Sequence, residues 1–493
     1  MNKYRSVMFV GTGSDVGKSI INAGFCRIFK QDGMNPAPYK AQNMSLNSYA
    51  TPDGLEIGRA QAVQAEAAGV PCATEMNPVL LKPTSDKSSQ VVLHGKPFGN
   101  QSAWDYFMDN NKQNLFEEVK GAYDKLAQKY SPIVMEGAGS ISELNLKKRD
   151  ITNMRIAQHA NAATFLIADI DKGGVFGSVY GTIKLLEEDE QRLIKGIIIN
   201  KFRGDIKLFE DGRKIMEEIT GVPVVGVVPY FRDIQIEEED SVVVDRKIRE
   251  AVSGKVNVAV VLLRRMSNFT DFNALEKDDR VNLFYTNNPS EIEKADIVII
   301  PGSKNTIEDL IDLKNNGAGK AIYDARKNGK TVIGICGGYQ MLGISIEDPL
   351  HTESNYSFMT GLGLLPVKTT LEEEKVTEQQ TFQFKGISEK CSGYEIHMGT
   401  SELENSAEPL ATLADGRKDG CWVDEKCWGT YLHGVLDNDE IINQLIAPYV
   451  KGELKARKVD YQTFKEEQYD KLADMLRGCM DMDYIYKVLR NEA

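Results

Sequence analysis

A cysteine followed by two glycines, at residues 336 to 338, has the residue types and spacing of a reactive nucleophile. Cys336 comes after the apolar run TVIGI and before Gly337, Gly338 and a segment with helical character. On a sharp turn from a strand to a helix, a thiol reaches the edge of the sheet, small neighbours admit a substrate, and free N–H groups can stabilise an oxyanion. A position just before a helix also favours the thiolate. We therefore predict that Cys336 is a catalytic nucleophile.

The sequence GICGGYQ resembles the nucleophile turn of class I glutamine amidotransferases, which follows the pattern Gly-aliphatic-Cys-x-Gly-x-Gln. Such a thiol needs a base, and the chain has five histidines to supply it. His433, in WGTYLHGVLDND, lies in a segment that resembles the family's histidine motif, so it is our first choice. His397, in GYEIHMGTS, is the rival, although its segment is more similar to part of the glutamine pocket. We expect oxyanion stabilisation and glutamine binding from five residues: Gly302, Ser303, Gly337, Gln340 and His397.

The acid that would orient the histidine is not at its usual place in the sequence. Many class I amidotransferases have a glutamate two residues after the histidine, where this chain has Val435. Either another acid, such as Asp437 or Glu395, replaces it, or the site works as a Cys-His dyad. Both alternatives stay open on the sequence alone.

A second glycine-rich loop, GTGSDVGKS at residues 11 to 19, has the features of a phosphate-binding loop. It follows an apolar run and precedes IINAGFCRIF, which has the character of a helix. Glycines let backbone N–H groups close on phosphate oxygens, the lysine offsets their charge, and the serine hydroxyl can bind magnesium. We assign ATP binding to the residues of this loop: Gly11, Thr12, Gly13, Asp15, Val16, Gly17, Lys18 and Ser19.

This loop departs from the strict pattern at Thr12, because a glycine usually stands six residues ahead of the lysine at position 18. The variant resembles dethiobiotin synthetase and its relatives, which activate a carboxyl or carbamate group with ATP. The ParA and MinD branch carries an extra lysine early in the loop, and this chain has none there. By the same resemblance, we expect Asn200, in INKFRGD, at the nucleotide base and Lys40, in PYKAQNMS, at the reacting group.

Magnesium needs hard oxygen ligands beside the γ-phosphate, and Ser19 can supply one of them. Glu136, in IVMEGAGS, ends a predicted strand, and the carboxyl ends of strands face the crevice of an open α/β sheet. Asp53, in TPDGLEIGRAQ, is a further candidate, although the chemistry of an Asp-Gly turn explains it equally well. Asp150 is a candidate acid at the acceptor site, where the phosphoryl group would be transferred.

The elements that must position these residues are short apolar strands that alternate with helical segments. Five apolar runs come before a charged stretch that contains EEED, namely SVMFV, PIVM, TFLIADI, GIIIN and VPVVGVVP. Three more come after it, namely VNVAVVLL, ADIVIIPG and KTVIGIC. This alternation predicts α/β architecture with two α/β domains. We expect a P-loop, dethiobiotin synthetase-like parallel sheet, then a class I glutamine amidotransferase domain, and finally C-terminal helices. The predicted boundaries are 1–235 for the ATP-dependent synthetase domain, 236–255 for a linker, 256–445 for the amidotransferase domain and 446–493 for the C-terminal helices.

The composition, with 493 residues of which 42% are hydrophobic and 27% charged, is typical of a globular protein with more than one core. A formal net charge of -13 without a long basic block argues against a nucleic acid or an anionic membrane as partner. The seven cysteines form no CxxC pair, and no apolar stretch is long enough to span a bilayer. We expect a cytoplasmic protein in which local cations, such as Lys147 and Arg203, would meet an anionic substrate.

Segments along nearly the whole chain are similar to those of the cobyric acid synthases, among them YKAQNMSLNSY, GRAQ, EGAGS, DITNM, ADIDKGGVFGS, PGSKNTI and GICGGYQMLG. The resemblance implies ATP- and magnesium-dependent amidation with glutamine as the nitrogen donor. It also implies the acceptor, namely the b, d, e and g carboxylates of adenosylcobyrinic acid a,c-diamide. The chemistry further predicts a closed passage for ammonia between the two domains. The oligomeric state stays undetermined.

Three other functions are compatible with parts of this pattern. One is cobyrinic acid a,c-diamide synthase, which amidates two other carboxylates of the same ring; the AQNMSLNS and DIDKGGVF segments favour the cobyric acid synthases instead. Another is an amidotransferase for a cell-wall carboxylate. The third is a P-loop ATPase switch with a degenerate amidase-like domain, against which stand the intact Cys336, His433, Lys18 and Ser19.

Overall fold

The computed structural model describes residues 4–84, 88–102, 112–237, 250–404, 407–450 and 460–492. It contains two α/β units, which we call the first unit (residues 4–237) and the second unit (residues 250–450). The α/β fold with two domains that the sequence predicts is confirmed. Within the described ranges, no helix combines the length and the apolar character that crossing a bilayer requires.

The first unit has a central six-stranded parallel sheet flanked by helices, with strand order β12-β11-β10-β1-β9-β2. Its strands are apolar along nearly their whole length because both faces of the sheet are covered. Beside it lie a four-stranded sheet, β3-β6-β7-β8, and a hairpin, β4-β5. The elements in chain order are β1 Val7–Gly11, α1 Lys18–Gln31, β2 Ala37–Tyr39, β3 Gln42–Met44, β4 Ser48–Ala50, β5 Glu56–Gly58, α2 Arg59–Ala68, β6 Val79–Pro83, β7 Ser88–Leu93, β8 Lys96–Ser102, α3 Lys112–Lys129, β9 Ile133–Glu136, α4 Met154–His159, β10 Ala163–Asp169, α5 Val175–Lys184, α6 Glu188–Gln191, β11 Ile194–Phe202, α7 Glu210–Thr220 and β12 Val224–Pro229.

The second unit has a six-stranded sheet of order β15-β13-β16-β18-β26-β25, parallel except for its last pair, and a second, mostly antiparallel sheet built on the long pair β21-β22. The first strand of that pair, Val367–Phe384, is unusually long at 18 residues. The elements in chain order are β13 Val256–Val261, β14 Met266–Ser267, α8 Asn273–Glu276, β15 Val281–Thr286, α9 Pro289–Ile292, β16 Ile297–Ile300, β17 Gly302–Ser303, α10 Thr306–Asn315, α11 Ala318–Lys327, β18 Thr331–Ile335, α12 Gly337–Leu342, β19 Ser345–Glu347, β20 Phe358–Thr360, β21 Val367–Phe384, β22 Lys390–Leu403, β23 Ala411–Leu413, β24 Lys418–Asp419, β25 Cys421–Asp424, β26 Cys427–Thr430, β27 Leu432–His433 and α13 Asp439–Ile446.

Two C-terminal helices, α14 Tyr461–Cys479 and α15 Met482–Leu489, return to the first unit. Leu472 and Leu476 of α14 are fully buried in the hydrophobic core that α1 shares with one face of the first sheet. Arg27 of α1 donates hydrogen bonds to Glu466 and Asp470 of α14, each at 2.7 Å. The first unit is therefore completed by the last described residues of the chain.

The residue numbers at which the domains begin and end remain a proposal. The first sheet ends at Pro229 and the second begins at Val256, and the C-terminal helices are those that the sequence predicts beyond residue 446. Most of the linker proposed for residues 236–255 lies outside the described residues, as do residues 451–459.

Candidate active sites

The phosphate-binding loop connects β1 to α1 in the first unit, at the carboxyl end of the central strand. Its backbone passes through the left-handed region at Asp15 and at Gly17, with φ angles of 57° and 95°. Asn200, near the end of β11, which is separated from β1 by β10, donates a hydrogen bond to the Val16 carbonyl at 2.7 Å. The structure therefore brings Asn200 against the loop, and its expected role at the nucleotide base stays a prediction.

The lysine of this loop points into the loop itself. Lys18 Nζ donates hydrogen bonds to the carbonyl oxygens of Gly13, at 2.9 Å, and Gly139, at 3.1 Å. Gly139 belongs to the EGAGS segment that follows β9, so the lysine lies between two loops at the same edge of the sheet. An ammonium group in this position can offset the charge of a phosphate bound in the loop.

Glu136, the last residue of β9, collects three polar side chains in a buried site. Its Oε1 accepts hydrogen bonds from Ser19 Oγ at 2.7 Å and Lys40 Nζ at 2.9 Å, and its Oε2 accepts one from Gln64 Nε2 at 2.6 Å. Burial raises the pKa of the Glu136 carboxyl, but the Lys40 ammonium and these hydrogen bonds hold it below its ordinary value. A carboxylate and a hydroxyl that meet beside a phosphate loop are hard oxygen ligands of the kind that Mg²⁺ prefers.

Gln64 is a member of this site that the sequence reasoning missed. It lies on α2, 45 positions along the chain from Ser19 of the phosphate loop, and is almost fully buried. The GRAQ segment, which carries part of the family resemblance, ends at Gln61, three residues before it. A buried glutamine in a helix of small residues is the signal that could have pointed to it.

Two acids assigned from the sequence do not join this cluster. Asp53 lies in the exposed turn between β4 and β5, where it accepts a hydrogen bond from Thr51 Oγ1 at 2.5 Å. Asp150 Oδ1 accepts hydrogen bonds from the Thr152 N–H, at 2.7 Å, and from the Thr152 hydroxyl. None of the contacts in the described part of the chain links either carboxylate to Glu136, so their roles stay predictions.

The DITNM segment acts on the site through Asn153. Its side chain accepts a hydrogen bond from the Ala138 N–H at 3.0 Å and donates one to the Ala138 carbonyl at 2.9 Å. The two bonds hold in place the loop that directly follows Glu136 at the end of β9.

The nucleophile of the second unit lies on a sharp turn between β18 and α12. Cys336 has a φ angle of 52°, in the left-handed region, and its N–H donates a hydrogen bond to the Thr430 carbonyl at 2.8 Å. Strain of this kind persists at functional sites where the surrounding structure fixes it. Gly338 is required here, because a Cβ atom would lie 2.0 Å from the Ile300 carbonyl oxygen. The glycines beside the cysteine thus allow the turn to pack against β16.

His433 and an aspartate form a buried hydrogen-bonded pair behind this turn. His433 Nδ1 lies 2.7 Å from Asp271 Oδ2, and the Gly434 N–H donates a hydrogen bond to Asp271 Oδ1 at 3.0 Å. Burial lowers the pKa of His433, but the negative charges of Asp271 and Cys336 raise it to about 10. The imidazole is therefore protonated at neutral pH. Within the described residues Nε2 is buried without a nitrogen or oxygen partner, and Cys336 is the side chain besides Asp271 whose charge and hydrogen bonding act on the imidazole.

This pair corrects the expectation about the acid partner of the histidine. Asp437 is buried close to Gly434, and burial raises its pKa to about 7, but it makes no hydrogen bond to His433 among the described contacts. Glu395 instead accepts a hydrogen bond from Gln380 at 2.6 Å and lies 3.5 Å from His397. The site is neither a dyad nor one that uses these two acids, because Asp271 occupies the position. Its separation of 162 residues from His433 explains why local sequence reasoning did not find it.

The residues assigned to oxyanion stabilisation meet beside Cys336. Gly302 and Ser303 form β17, which pairs with β14. A Cβ atom at Gly337 would come within 2.8 Å of the Ser303 nitrogen, so the two backbone segments touch. The Ser303 and Gly337 backbones thus lie side by side at the nucleophile turn, and their role in stabilising an oxyanion stays a prediction.

Gln340 and His397 line the same small cavity as Cys336, which has a volume of about 40 Å³. Gln340 Nε2 donates hydrogen bonds to the Met398 carbonyl and to the Tyr431 hydroxyl, both at 3.2 Å. The ring of His397 stacks on that of Tyr431 at 3.8 Å, and its Nδ1 donates to the Gly399 carbonyl at 3.2 Å. His397 thus belongs to the wall of the pocket, and His433 is the histidine bonded to a carboxylate behind the nucleophile.

A cluster of buried charged side chains extends from this cavity into the first unit. Glu56 of β5 accepts a hydrogen bond from Lys82 of β6 at 2.6 Å and forms an ion pair with Lys375 of β21. Burial lowers the pKa of Lys375 to about 8, and the two lysines hold the pKa of Glu56 well below its ordinary value. Lys304 and Glu353 are on the same cavity wall, with their charged atoms 3.9 Å apart. The cavity that holds the thiol is therefore closed by side chains from both units.

The cations named from the sequence for an anionic substrate are already paired. Lys147 Nζ lies 2.7 Å from Glu190, and Arg203 donates to Asp171 at 2.5 Å while its guanidinium stacks on Tyr230. These contacts give both side chains a structural role in the absence of substrate.

Comparisons with known proteins agree with both halves of this geometry. A family model of the CobQ/CobB/MinD/ParA nucleotide binding domain matches residues 7–243, and one of the CobB/CobQ-like glutamine amidotransferase domain matches residues 257–441. A Parabacteroides distasonis protein named cobyric acid synthase is 60% identical over 492 residues, with 99% of each chain covered. Proteins of the same name from Phocaeicola vulgatus, at 57% identity with 98% of each chain covered, and from Thermoanaerobacter sp., at 47% identity with 98% covered, are similar over the same length.

Proposed function

This chain belongs to the cobyric acid synthase family and is a glutamine amidotransferase, and we propose that it amidates peripheral carboxylates of a corrinoid at the expense of ATP. The specific reaction we propose uses glutamine, ATP and Mg²⁺ to convert the b, d, e and g carboxylates of adenosylcobyrinic acid a,c-diamide to amides, giving adenosylcobyric acid. The observation that carries the proposal is the presence in one chain of a Cys336–His433–Asp271 constellation and a phosphate loop beside Glu136.

In the second unit, Cys336 Sγ attacks the carboxamide carbon of glutamine. A C–S bond forms and the C–N bond breaks, which gives a γ-glutamyl thioester and ammonia, with the leaving nitrogen protonated by the His433 imidazolium. The raised pKa of His433, about 10, means that this proton is present at neutral pH. The N–H groups at Gly337 and Ser303 support the oxyanion. Water then hydrolyses the thioester and releases glutamate.

In the first unit, we assign the phosphates of ATP to the loop around Lys18 and the acceptor carboxylate to Lys40, which in the structure bonds to Glu136. Ser19 and Glu136 fit a magnesium ion, since their oxygens lie 2.7 Å apart at the carboxyl end of β9. When bound there with the phosphate oxygens, Mg²⁺ would offset the charge that develops during phosphoryl transfer. Transfer of the γ-phosphoryl group to a carboxylate oxygen gives an acyl phosphate, and attack by ammonia at the carbonyl carbon displaces phosphate and forms the amide.

The proposed acceptor is tested by mass spectrometry of adenosylcobyrinic acid a,c-diamide after incubation with the protein, ATP, Mg²⁺ and glutamine. We expect four successive carboxyl-to-amide mass steps. Cobyrinic acid, offered in parallel, tests the sister reaction at the a and c carboxylates, and the absence of steps on the a,c-diamide together with two steps on cobyrinic acid would favour that reaction instead. Glutamine hydrolysis without any step on either corrinoid would leave the two-site chemistry and overturn the corrinoid assignment. Absence of both glutamine hydrolysis and amidation would favour a non-catalytic ATPase switch.

A further inference from the structure

Two buried asparagines, one from each unit, dock the first unit on the turn that carries Asp271. Asn47, just before β4, accepts a hydrogen bond from the Phe269 N–H at 3.0 Å. In return, Asn268 accepts one from the Ser48 N–H at 2.9 Å. The exposed fractions of the two asparagines are only 2% and 3%, so neither bond competes with water. The contact is reciprocal, since each chain segment supplies one side-chain acceptor and one backbone donor.

The second-unit partner in this contact is the start of a short 3-10 turn, residues 269–272. Asn268 precedes it in the left-handed conformation, with a φ angle of 51°, and its carbonyl accepts a hydrogen bond from the Asp271 N–H at 3.1 Å. Asp271 in turn holds His433 at 2.7 Å. The position of the Asp271 carboxylate therefore depends on a turn whose first residue, Phe269, and preceding residue, Asn268, are both hydrogen-bonded to the first unit.

A second contact reaches the histidine ring itself. Tyr394 of β22 stacks on His433, with ring centroids 5.4 Å apart and an angle of 24° between the planes. On its other side Tyr394 packs edge to face on Tyr49 of β4, with centroids 4.8 Å apart, and its hydroxyl donates to the Ser48 carbonyl at 3.3 Å. The guanidinium of Arg59 covers Tyr49 at 4.7 Å. Residues of the first unit thus contact both the turn that carries Asp271 and the tyrosine ring that stacks on His433.

We propose that the segment Asn47–Tyr49 of the first unit is a positioning element of the glutaminase site, and that Asn47 and Asn268 are its positioning residues. The proposal rests on the proposed function, because it concerns the same Cys336–His433–Asp271 constellation. Glutamine hydrolysis then depends on how the two units dock and is not a property of the second unit alone. Asn268 also lines the cavity that holds Cys336, so Asn47→Ala is the variant that tests positioning apart from a direct contact with glutamine.

The test compares the full chain with Asn47→Ala, Asn268→Gly and the double variant. Glycine is chosen at position 268 because it tolerates the positive φ angle, so the side chain is removed without new backbone strain. Each buried hydrogen bond that is lost should lower kcat for glutamine hydrolysis about tenfold with KM for glutamine little changed. The double variant should lose less than the product of the two single effects, because both bonds hold one turn.

A spectroscopic measurement separates positioning from a general loss of structure. The proton between His433 and Asp271 should give a downfield NMR resonance, assigned by its absence in Asp271→Asn. In both single variants we expect this resonance to shift or to broaden. Amidation driven by added ammonia reports whether the first unit remains folded and active, and we expect it to be retained in Asn268→Gly.

Asn282→Ala is the matched control within the second unit. Asn282 Nδ2 donates to the Glu250 carbonyl at 3.2 Å and to the Asn257 side chain at 3.0 Å, and neither contact involves the Asp271 turn or the first unit. We expect this variant to keep the kcat and the resonance of the unaltered chain. The proposal is overturned if both asparagine variants keep them too, or if kcat falls while the resonance is unchanged. Failure of the unaltered chain to hydrolyse glutamine would instead overturn the proposed function on which the inference rests.

Discussion

Replacing Asp271 by asparagine is the perturbation that tests the glutaminase geometry most sharply. Asp271 Oδ1 accepts a hydrogen bond from the Gly434 N–H, so the oxygen of an introduced amide would take that position and its NH₂ group would face His433 Nδ1. An amide donor there favours the tautomer with the proton on Nε2 and removes the charge that stabilises the imidazolium. The variant therefore changes the protonation of the histidine with little change in shape.

The size of the effect follows from the pKa of His433, which lies at about 10 against an ordinary value of 6.5. Breaking a buried ion pair costs about 3 to 5 kcal/mol. We therefore expect kcat for glutamine hydrolysis to fall at least about 100-fold in Asp271→Asn.

The assay is steady-state release of glutamate over a range of glutamine concentrations, with ammonia-driven amidation as the check on folding. Asp437→Asn and Glu395→Gln are matched controls, because both remove a buried carboxylate of the same region that does not bond His433. We expect these two variants to stay within about threefold of the unaltered chain, a change of less than about 1 kcal/mol. A large loss in either control, with Asp271→Asn nearly unaffected, would refute the assignment of Asp271.

Three further outcomes follow from the buried charges. Glu136→Gln should abolish ATP-dependent amidation with either glutamine or ammonia while glutamine hydrolysis continues, and loss of hydrolysis as well would contradict separate sites. Glu56→Gln leaves the ammonium groups of Lys82 and Lys375 facing each other between the units, so the free energy of unfolding, measured with urea, should fall by about 3 to 5 kcal/mol; an unchanged midpoint would contradict the account. Because the pKa of His433 is raised to about 10 in the folded chain, its stabilisation is fully present below pH 6.5 and is lost as the pH rises towards 10. Relative to His433→Gln, the unaltered chain should therefore lose about 1.4 kcal/mol of stability per pH unit in that window, and a difference that does not vary with pH would refute the raised pKa.

The reactive turn and the phosphate loop could be predicted from the sequence because their chemistry is local. Cys336 needs a positive φ angle and a glycine two residues later, and these requirements are written in adjacent positions. The same holds for Lys18 and Ser19 at the start of α1. Apolar strands buried on both faces likewise show in the sequence as continuous runs, which is why the parallel sheets were predicted.

The residues that the sequence did not reveal are those whose role depends on contacts between distant segments. Asp271 reaches His433 across 162 positions, and Gln64 reaches Glu136 across 72. Leu472 and its neighbours could be predicted to lie on a buried helix face, but not that this face packs on α1 at the other end of the chain. Such pairings are set by the three-dimensional path of the chain, and a single sequence contains no local signal for them.

The central claim is that nitrogen released at Cys336 is used for ATP-dependent amidation within the same chain. The measurement that tests it most directly supplies glutamine labelled with ¹⁵N in its amide group, together with unlabelled ammonium, ATP, Mg²⁺ and adenosylcobyrinic acid a,c-diamide. We predict amide products that carry mainly ¹⁵N with the unaltered chain, and unlabelled products in the same mixture with Cys336→Ala. Products that carry the isotope ratio of the bulk ammonium with the unaltered chain would show that ammonia escapes before it reacts, and would contradict the claim.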